Sequence, residues 1–496
     1  MRRLLASTAT LCVLAALPAC GGGDSASGPL ESALSYVPKD TPFVVAVDTD
    51  LEGGQYKSLQ AILDRFPGGV KIEDLLAGQL NEGDDGVSFA KDVKPLLGNP
   101  SVISATDVTS FLSDSDDDFV AALEVKDSEA LDRLIDKTKP EEKGEVAGAT
   151  VYDDGGTVFA VEENTLVISG SERLLNAALE RSEAGEGMDP GRFEAGLEGL
   201  PDEALARVFL DVQALLKEDP ETAEARKIEW VGALRTLGIT AALEDDSVDI
   251  EFNLKAEGDL TEEDLPLAAG DEAPPVVRQE REIGFGVRDP GQIVTFVEAA
   301  LQALDPQGSG DYETGKQAIS QQLGVDVDDD IFGQLTGNMA VSLALDGSFG
   351  TRVEVESPSA FADTVDKVAE ALPDLGSGLG VTGVRQDGDL YEAQLADGGS
   401  LFFGMRNDVF VVASEAARAL ELATQEPSAV DGAEGSVVMA ADAERVALEV
   451  IEQLGGQLGV GGLLGGGLFA RPLEDLSGSV SSSTEGMRGS FTLTLD

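Results

Sequence analysis

Apolar positions recur along this chain with two periods, and the same succession of periods is met twice. From Phe119 to Lys137 the chain reads FVAALEVKDSEALDRLIDK. An apolar run is followed by a short polar turn, and then Leu131, Leu134 and Ile135 fall at the i, i+3, i+4 spacing of a helix face. From Phe349 to Lys367 it reads FGTRVEVESPSAFADTVDK, with Phe361, Val365 and Val368 in the same role. The two segments align without gaps at an offset of 230. Phe119, Glu124, Val125, Ala130, Asp136 and Lys137 each face an identical residue. The pattern predicts a strand, a turn and an amphipathic helix in both places.

The next stretch repeats as well, now at an offset of 243. Asp154-Gly155-Gly156 and Asp397-Gly398-Gly399 each stand between apolar runs, which is a hairpin signal. The correspondence continues through Asn164 and Asn407 to Ser171-Glu172 and Ser414-Glu415, where a hydroxyl residue precedes a helical pattern. Each copy closes on alternating strands. Val248, Ile250, Phe252 and Leu254 share one face of the first, and Phe491, Leu493 and Leu495 share one face of the last. Alternation of this kind predicts a sheet covered on one side only.

Matches in one order, with nearly constant offsets, predict duplication of a domain rather than a solenoid, whose period is far shorter. The expected fold class is α+β: a tandem duplication of a mainly antiparallel-sheet unit, with short amphipathic helices packed on one face. The expected divisions are a signal segment over 1–19, a flexible tether over 20–30, repeat unit one over 31–258, an acidic linker over 259–273, and repeat unit two over 274–496. The linker assignment rests on its acidity and on Pro274-Pro275 at its end, which read as an exposed connector.

The first nineteen residues pair a basic start, Arg2-Arg3, with an apolar run from Leu11 to Leu17 that is too short to span a bilayer. The run ends in Leu17-Pro18-Ala19-Cys20, which resembles the lipobox of bacterial lipoproteins. By that resemblance Cys20 carries the lipid, and the glycine- and serine-rich stretch after it is a tether. The expected location is extracytoplasmic, with the chain anchored to the cell membrane through its lipidated N-terminal cysteine.

Composition removes several kinds of chemistry. The chain has two cysteines, Cys12 and Cys20, and no histidine. Cleavage after residue 19 would leave no free thiol, so disulfides, thiolate metal sites and cysteine or serine–histidine catalysis are not expected. With 34 basic and 93 acidic residues the formal net charge is −59. A surface so negative repels nucleic acid, so no nucleic-acid partner is expected. It also favours salt, which shortens the range of self-repulsion.

Three motifs are candidates for chemistry. Asp114, Asp116 and Asp118, and again Asp326, Asp328 and Asp330, have the 1, 3, 5 spacing of a calcium loop. Phe119 and Ile331 stand where such a loop needs glycine, and Val125 and Gly337 where it needs glutamate, so acidic surface turns explain both runs as well. The third is the glycine-rich apolar tract that includes Gly455, Leu458, Val460, Leu463, Leu464 and Leu468. It reads either as a lid or lipid-contact loop or as an inert insertion. Gly284-Phe285-Gly286 lacks the third glycine of a dinucleotide site. No cofactor is expected.

The segment from Tyr36 to Asp50, YVPKDTPFVVAVDTD, and the later LQAILDRFP of Leu59 to Pro67 together resemble an uncharacterised family of bacterial exported proteins, the domain of unknown function 3352. The resemblance implies no reaction and supplies no site residues. Physically, prolines bracket a strand and Phe66-Pro67 ends a helix. The expected role is a non-enzymatic binding or scaffold function in the cell envelope, with an envelope protein as one class of partner. The alternatives are a carrier holding an apolar small molecule or lipid between the two units, and a hydrolase using carboxylates or a serine and lysine.

Overall fold

The computed structural model describes residues 28–80, 86–105, 118–155, 157–218, 220–279, 282–375, 380–451 and 468–496. Cys20, Asp114, Asp116, Gly455, Leu458, Val460, Leu463 and Leu464 lie outside the described residues, as does the whole signal segment. Two compact units are present. Unit one comprises residues up to Glu218, Arg235–Lys255 and Thr494–Asp496, and unit two comprises Asp219–Leu234 and Ala256–Leu493.

In unit one the strands are β1 (Phe43–Val47), β2 (Ser101–Ala105), β3 (Phe119–Glu124), β4 (Glu141–Val146), β5 (Ala149–Asp153), β6 (Val158–Glu162), β7 (Thr165–Ser169), β8 (Ala206–Asp211), β9 (Leu234–Leu243) and β10 (Ser247–Ala256). Their spatial order is β10-β9-β8-β1-β2-β3-β7-β6-β5-β4. Every pair from β9 to β4 runs antiparallel.

In unit two they are β11 (Glu282–Arg288), β12 (Asn338–Ala344), β13 (Phe349–Glu354), β14 (Val381–Asp387), β15 (Leu390–Leu395), β16 (Ser400–Arg406), β17 (Val409–Ala413), β18 (Val437–Asp442), β19 (Leu473–Ser483) and β20 (Gly486–Leu495). The order is β20-β19-β18-β11-β12-β13-β17-β16-β15-β14. The pairs from β19 to β14 are again antiparallel. The class is therefore α+β with antiparallel sheet.

The expectation of a sheet covered on one face alone is corrected. In unit one Val102, Val120 and Val167 pack on one side with the helices Pro29–Leu34, Glu172–Ala184 and Pro190–Gly196, through Leu34, Leu175, Leu179 and Phe193. Ile103, Ala121 and Ile168, their chain neighbours, pack on the other side with Leu131 of the helix Ser128–Thr138. The reason lies in the strand sequences. SVISA, FVAAL and TLVIS are apolar on both parities or carry small serines that bond to backbone, and such strands are stable only between two layers. Unit two repeats this. Val411 and Ala413 pack toward Leu422, while Phe410 and Val412 pack toward Phe361 and Val365.

Two further expectations change. Of the face Val248, Ile250, Phe252 and Leu254, none is fully buried and Ile250 is 40% exposed, whereas Asn253 on the opposite face is buried and donates to the Glu198 carbonyl. The acidic stretch expected to be an exposed connector packs instead. Leu265 is fully buried, Gln292 Nε2 donates to the Leu265 carbonyl, and Arg288 gathers the carbonyls of Ala268, Ala269 and Gly270.

Candidate functional site

The chain between β1 and β2 in unit one leaves the sheet and returns through helical segments, and a cleft forms there. Its volume is about 550 Å³. One wall is the segment after β1, with Asp50, Leu51 and Glu52. A second holds Glu73, from the first turn of the helix Ile72–Leu80, where an acid suits the helix dipole. Ala90, Lys94, Pro95 and Leu97 supply the floor, and Lys126 and Asp127 enter from the turn after β3. Ala90 lies in a π-helical turn, Phe89–Val93, a rare conformation often met at functional sites.

The walls are tied together by backbone hydrogen bonds. Thr49 Oγ1 donates to the Asn99 carbonyl at 2.8 Å and accepts from the Gly98 amide at 2.8 Å. Asn99 Nδ2 donates to the Glu124 carbonyl, and the Lys126 amide to the Leu96 carbonyl. Asp48 accepts from the Asp50 amide and Asp50 from the Glu52 amide, two successive Asx turns that hold this wall. Asp127 caps the helix Ser128–Thr138 through the Ala130 amide. Gly98 is required here. Its φ is +137°, and a Cβ would stand 2.6 Å from Lys126 Cδ, so the lysine chain crosses the glycine. The π turn is fixed by Asp92, which accepts from the Ser88 amide at 2.6 Å and from Lys137 Nζ at 2.5 Å. Burial pushes the Asp92 carboxyl up, but Lys137 and the Ser88 amide outweigh it and hold the group below its ordinary value.

Four carboxylates and two ammonium groups line the cleft. Lys94 Nζ donates to Glu73 Oε1 at 2.6 Å, and this bond raises the lysine above its ordinary value against the opposing effect of burial. Lys126 is exposed and has no carboxylate partner among the described residues. Among the described residues the lining includes no hydroxyl, imidazole or thiol side chain. Unit two has a smaller cleft of about 250 Å³, lined in part by Asp387, Asp389, Phe402 and Arg406, where Arg406 pairs with Asp389 at 2.5 Å.

The acidic run Asp326, Asp328 and Asp330 is occupied otherwise. Asp326 caps the short helix Val327–Asp330 through the Asp328 and Asp329 amides, and Asp330 accepts from the Asp326 amide. Asp328 pairs with Lys316 at 2.8 Å. Among the described residues no three acidic side chains converge as metal ligands. Asp118 stands just before β3, and Leu468 is 44% exposed. Sequence reasoning missed the cleft. Its one signal was Lys91 and Lys94, a pair of cations in a region otherwise dominated by acids.

Among the described residues no helix is long and apolar enough to cross a membrane. No curated protein matches the chain. Solved structures that resemble it include crystal form III of TP0453, at 10% identity and a TM-score of 0.28 over 46% of this chain and 81% of that one. Crystal form I of TP0453 gives 13% identity and a TM-score of 0.27 over 46% and 80%. The match that spans most of the sequence, residues 5–368, is to the family described as protein of unknown function (DUF3352), and the chain belongs to that family.

Proposed function

We propose that this chain is a non-enzymatic, lipid-anchored extracytoplasmic binding protein, built by tandem duplication, whose ligand site is the cleft of unit one. The anchor reading rests on the export pattern that ends in Cys20. The duplication reading draws support from the strand orders, in which β1 to β10 correspond one by one to β11 to β20, and from the sequence matches at offsets of 230 and 243.

One observation carries the binding role: a cleft of about 550 Å³ whose walls are cross-tied and whose Lys126 ammonium has no carboxylate partner among the described residues. In a chain of net charge −59, a cation without a carboxylate partner beside a cavity is a group left free for something else. An apolar ligand does not suit this cleft, because filling it with hydrocarbon would strip water from six charged groups.

Native mass spectrometry of the protein extracted from its own membrane tests these readings. The expected mass begins at an acylated Cys20 and carries a small-molecule adduct that disappears in Ala90→Trp, a substitution that fills the cleft floor. A chain still beginning at Met1 would remove the anchor. An adduct that persists in Ala90→Trp would remove the site.

A further inference from the structure

We infer that the ligand of this cleft is a small zwitterion of amino-acid to dipeptide size, its anionic end held by Lys126 and its cationic end by Asp50 and Glu52. This rests on the cleft being the binding site. The inference comes from how the lining charges are already spent. Lys94 and Glu73 neutralise each other at 2.6 Å. Asp127 is engaged at the helix cap and lies 3.6 Å from Arg133. What remains is one ammonium, on the turn after β3, and on the wall after β1 the Glu52 carboxylate, which also acts on Lys94 from a distance, and Asp50, whose Oδ1 accepts the Glu52 amide and whose Oδ2 is left over.

A simple anion would satisfy Lys126 but would sit among carboxylates, at a cost in repulsion. A bare divalent cation would meet no convergent set of three acidic ligands among the described residues, and it would face the lysines. A molecule carrying both charges satisfies both poles at once. Leu51, Ala90, Pro95 and Leu97 give the short apolar spacer of such a molecule something to lie on. The volume, about 550 Å³, lies in the middle of the range of known pockets and leaves room for a ligand of this size together with water. The backbone of the acidic wall is set before binding by its Asx turns, and Gly98 leaves room for the lysine chain to pass. Little backbone ordering is then left to oppose binding.

Isothermal titration calorimetry on the mature, detergent-solubilised chain tests this with four probes: L-alanine, glycylglycine, butyrate and butylamine. At least one of the two zwitterions should bind at least tenfold more tightly than either single ion. Lys126→Gln should reduce the zwitterion to the level of butylamine. Asp50→Asn combined with Glu52→Gln should reduce it to the level of butyrate, while both variants keep the parent's melting temperature. Butyrate binding as tightly as the zwitterion, or zwitterion binding unmoved by both variants, would overturn the inference. So would silence from all four probes. Ala90→Trp separates that failure from failure of the site: if the native adduct is lost in this variant while no zwitterion binds, the ligand class is wrong and the site stands.

Discussion

Lys316 lies on the helix Pro306–Leu323 of unit two with only 7% of its side chain exposed. Its ammonium meets Glu298 at 2.9 Å, Glu313 at 2.8 Å and Asp328 at 2.8 Å, and Tyr312 donates to the same Glu298. Burial pulls the lysine down, but the three carboxylates outweigh it and hold it well above its ordinary value. One cation thus ties the helices Gly291–Leu304, Pro306–Leu323 and Val327–Asp330. Lys316→Met keeps the length of the side chain and leaves three acids facing one another. Because those acids are partly exposed, the expected loss is about 2 kcal/mol rather than the full penalty of breaking a buried pair. It should appear as a lower urea midpoint with an unchanged slope. Only part of this cluster was legible in the sequence. Glu313 is three residues before Lys316, a spacing that any helix brings together, whereas Glu298 and Asp328 arrive through the fold of the hairpin.

Tyr391 belongs to the same scale. Burial and a hydrogen bond to Asp366, 2.8 Å long, push its phenol up to about 12 from 10.0. The folded chain therefore holds this proton more tightly than the unfolded chain does. The stability it contributes is complete below pH 10 and is lost as pH rises toward 12. Tyr36, which donates to Glu162, is raised in the same sense by burial and that bond. Urea midpoints should fall between pH 10 and 12, and Tyr391→Phe should make that fall shallower. An equal fall in the variant would assign the effect elsewhere.

At the scale of elements, the last strands in each order share a device. β4 reads EEKGEV and β14 reads VTGVRQD. Each carries charge along an edge and a register shift, between Glu142 and Gly144 in one and between Val381 and Gly383 in the other. Lys143 reaches Glu141 at 3.1 Å and Asp153 at 3.3 Å, and Arg385 pairs with Glu392. Charge and bulges are how sheets keep free edges from pairing with other chains. Replacing Glu142 and Lys143 by valine should yield larger species in light scattering after gel filtration, growing with concentration. An unchanged profile would mean that the bulge alone protects the edge.

Elements set by short-range pattern were readable from the chain. The strand and helix expected over Phe119–Lys137 are β3 and the helix Ser128–Thr138, and those over Phe349–Lys367 are β13 and the helix Pro358–Leu375. Both Asp-Gly-Gly turns join strands, β5 to β6 and β15 to β16. Ser171 caps its helix through the Leu174 amide as expected. Ser414 does not cap, because its hydroxyl meets the Phe349 amide and carbonyl of a neighbouring strand. What stayed illegible was set at long range. Both-sided burial depends on which helices return to the sheet. The cleft depends on Thr49 meeting Gly98 and Asn99 across about fifty positions of chain.

Charge is the property of the whole molecule that no single contact explains. The formal net charge of −59 becomes −61 if the signal segment departs with Arg2 and Arg3. Many cations that the chain does have sit in pairs or small clusters with acids, such as Lys71 with Asp64 and Arg192 with Asp211. The remaining acids repel across the surface, and this repulsion is relieved on unfolding as the charges move apart. Monovalent salt should therefore stabilise the folded chain. The Debye length falls from roughly 10 Å at 0.1 M to about 3 Å at 1 M, so most of the gain should come over that interval. Sodium and potassium chloride should raise the melting temperature alike, by several degrees, because screening depends on ionic strength and not on ion identity. Calcium chloride at matched ionic strength should add nothing further. Asp326, Asp328 and Asp330 already hold backbone amides and Lys316, so an ion would have to displace those partners to bind there. A separate stabilising step at low millimolar calcium would refute the screening account and restore a specific site. A melting temperature indifferent to all three salts would mean that the acidic surface costs the fold nothing.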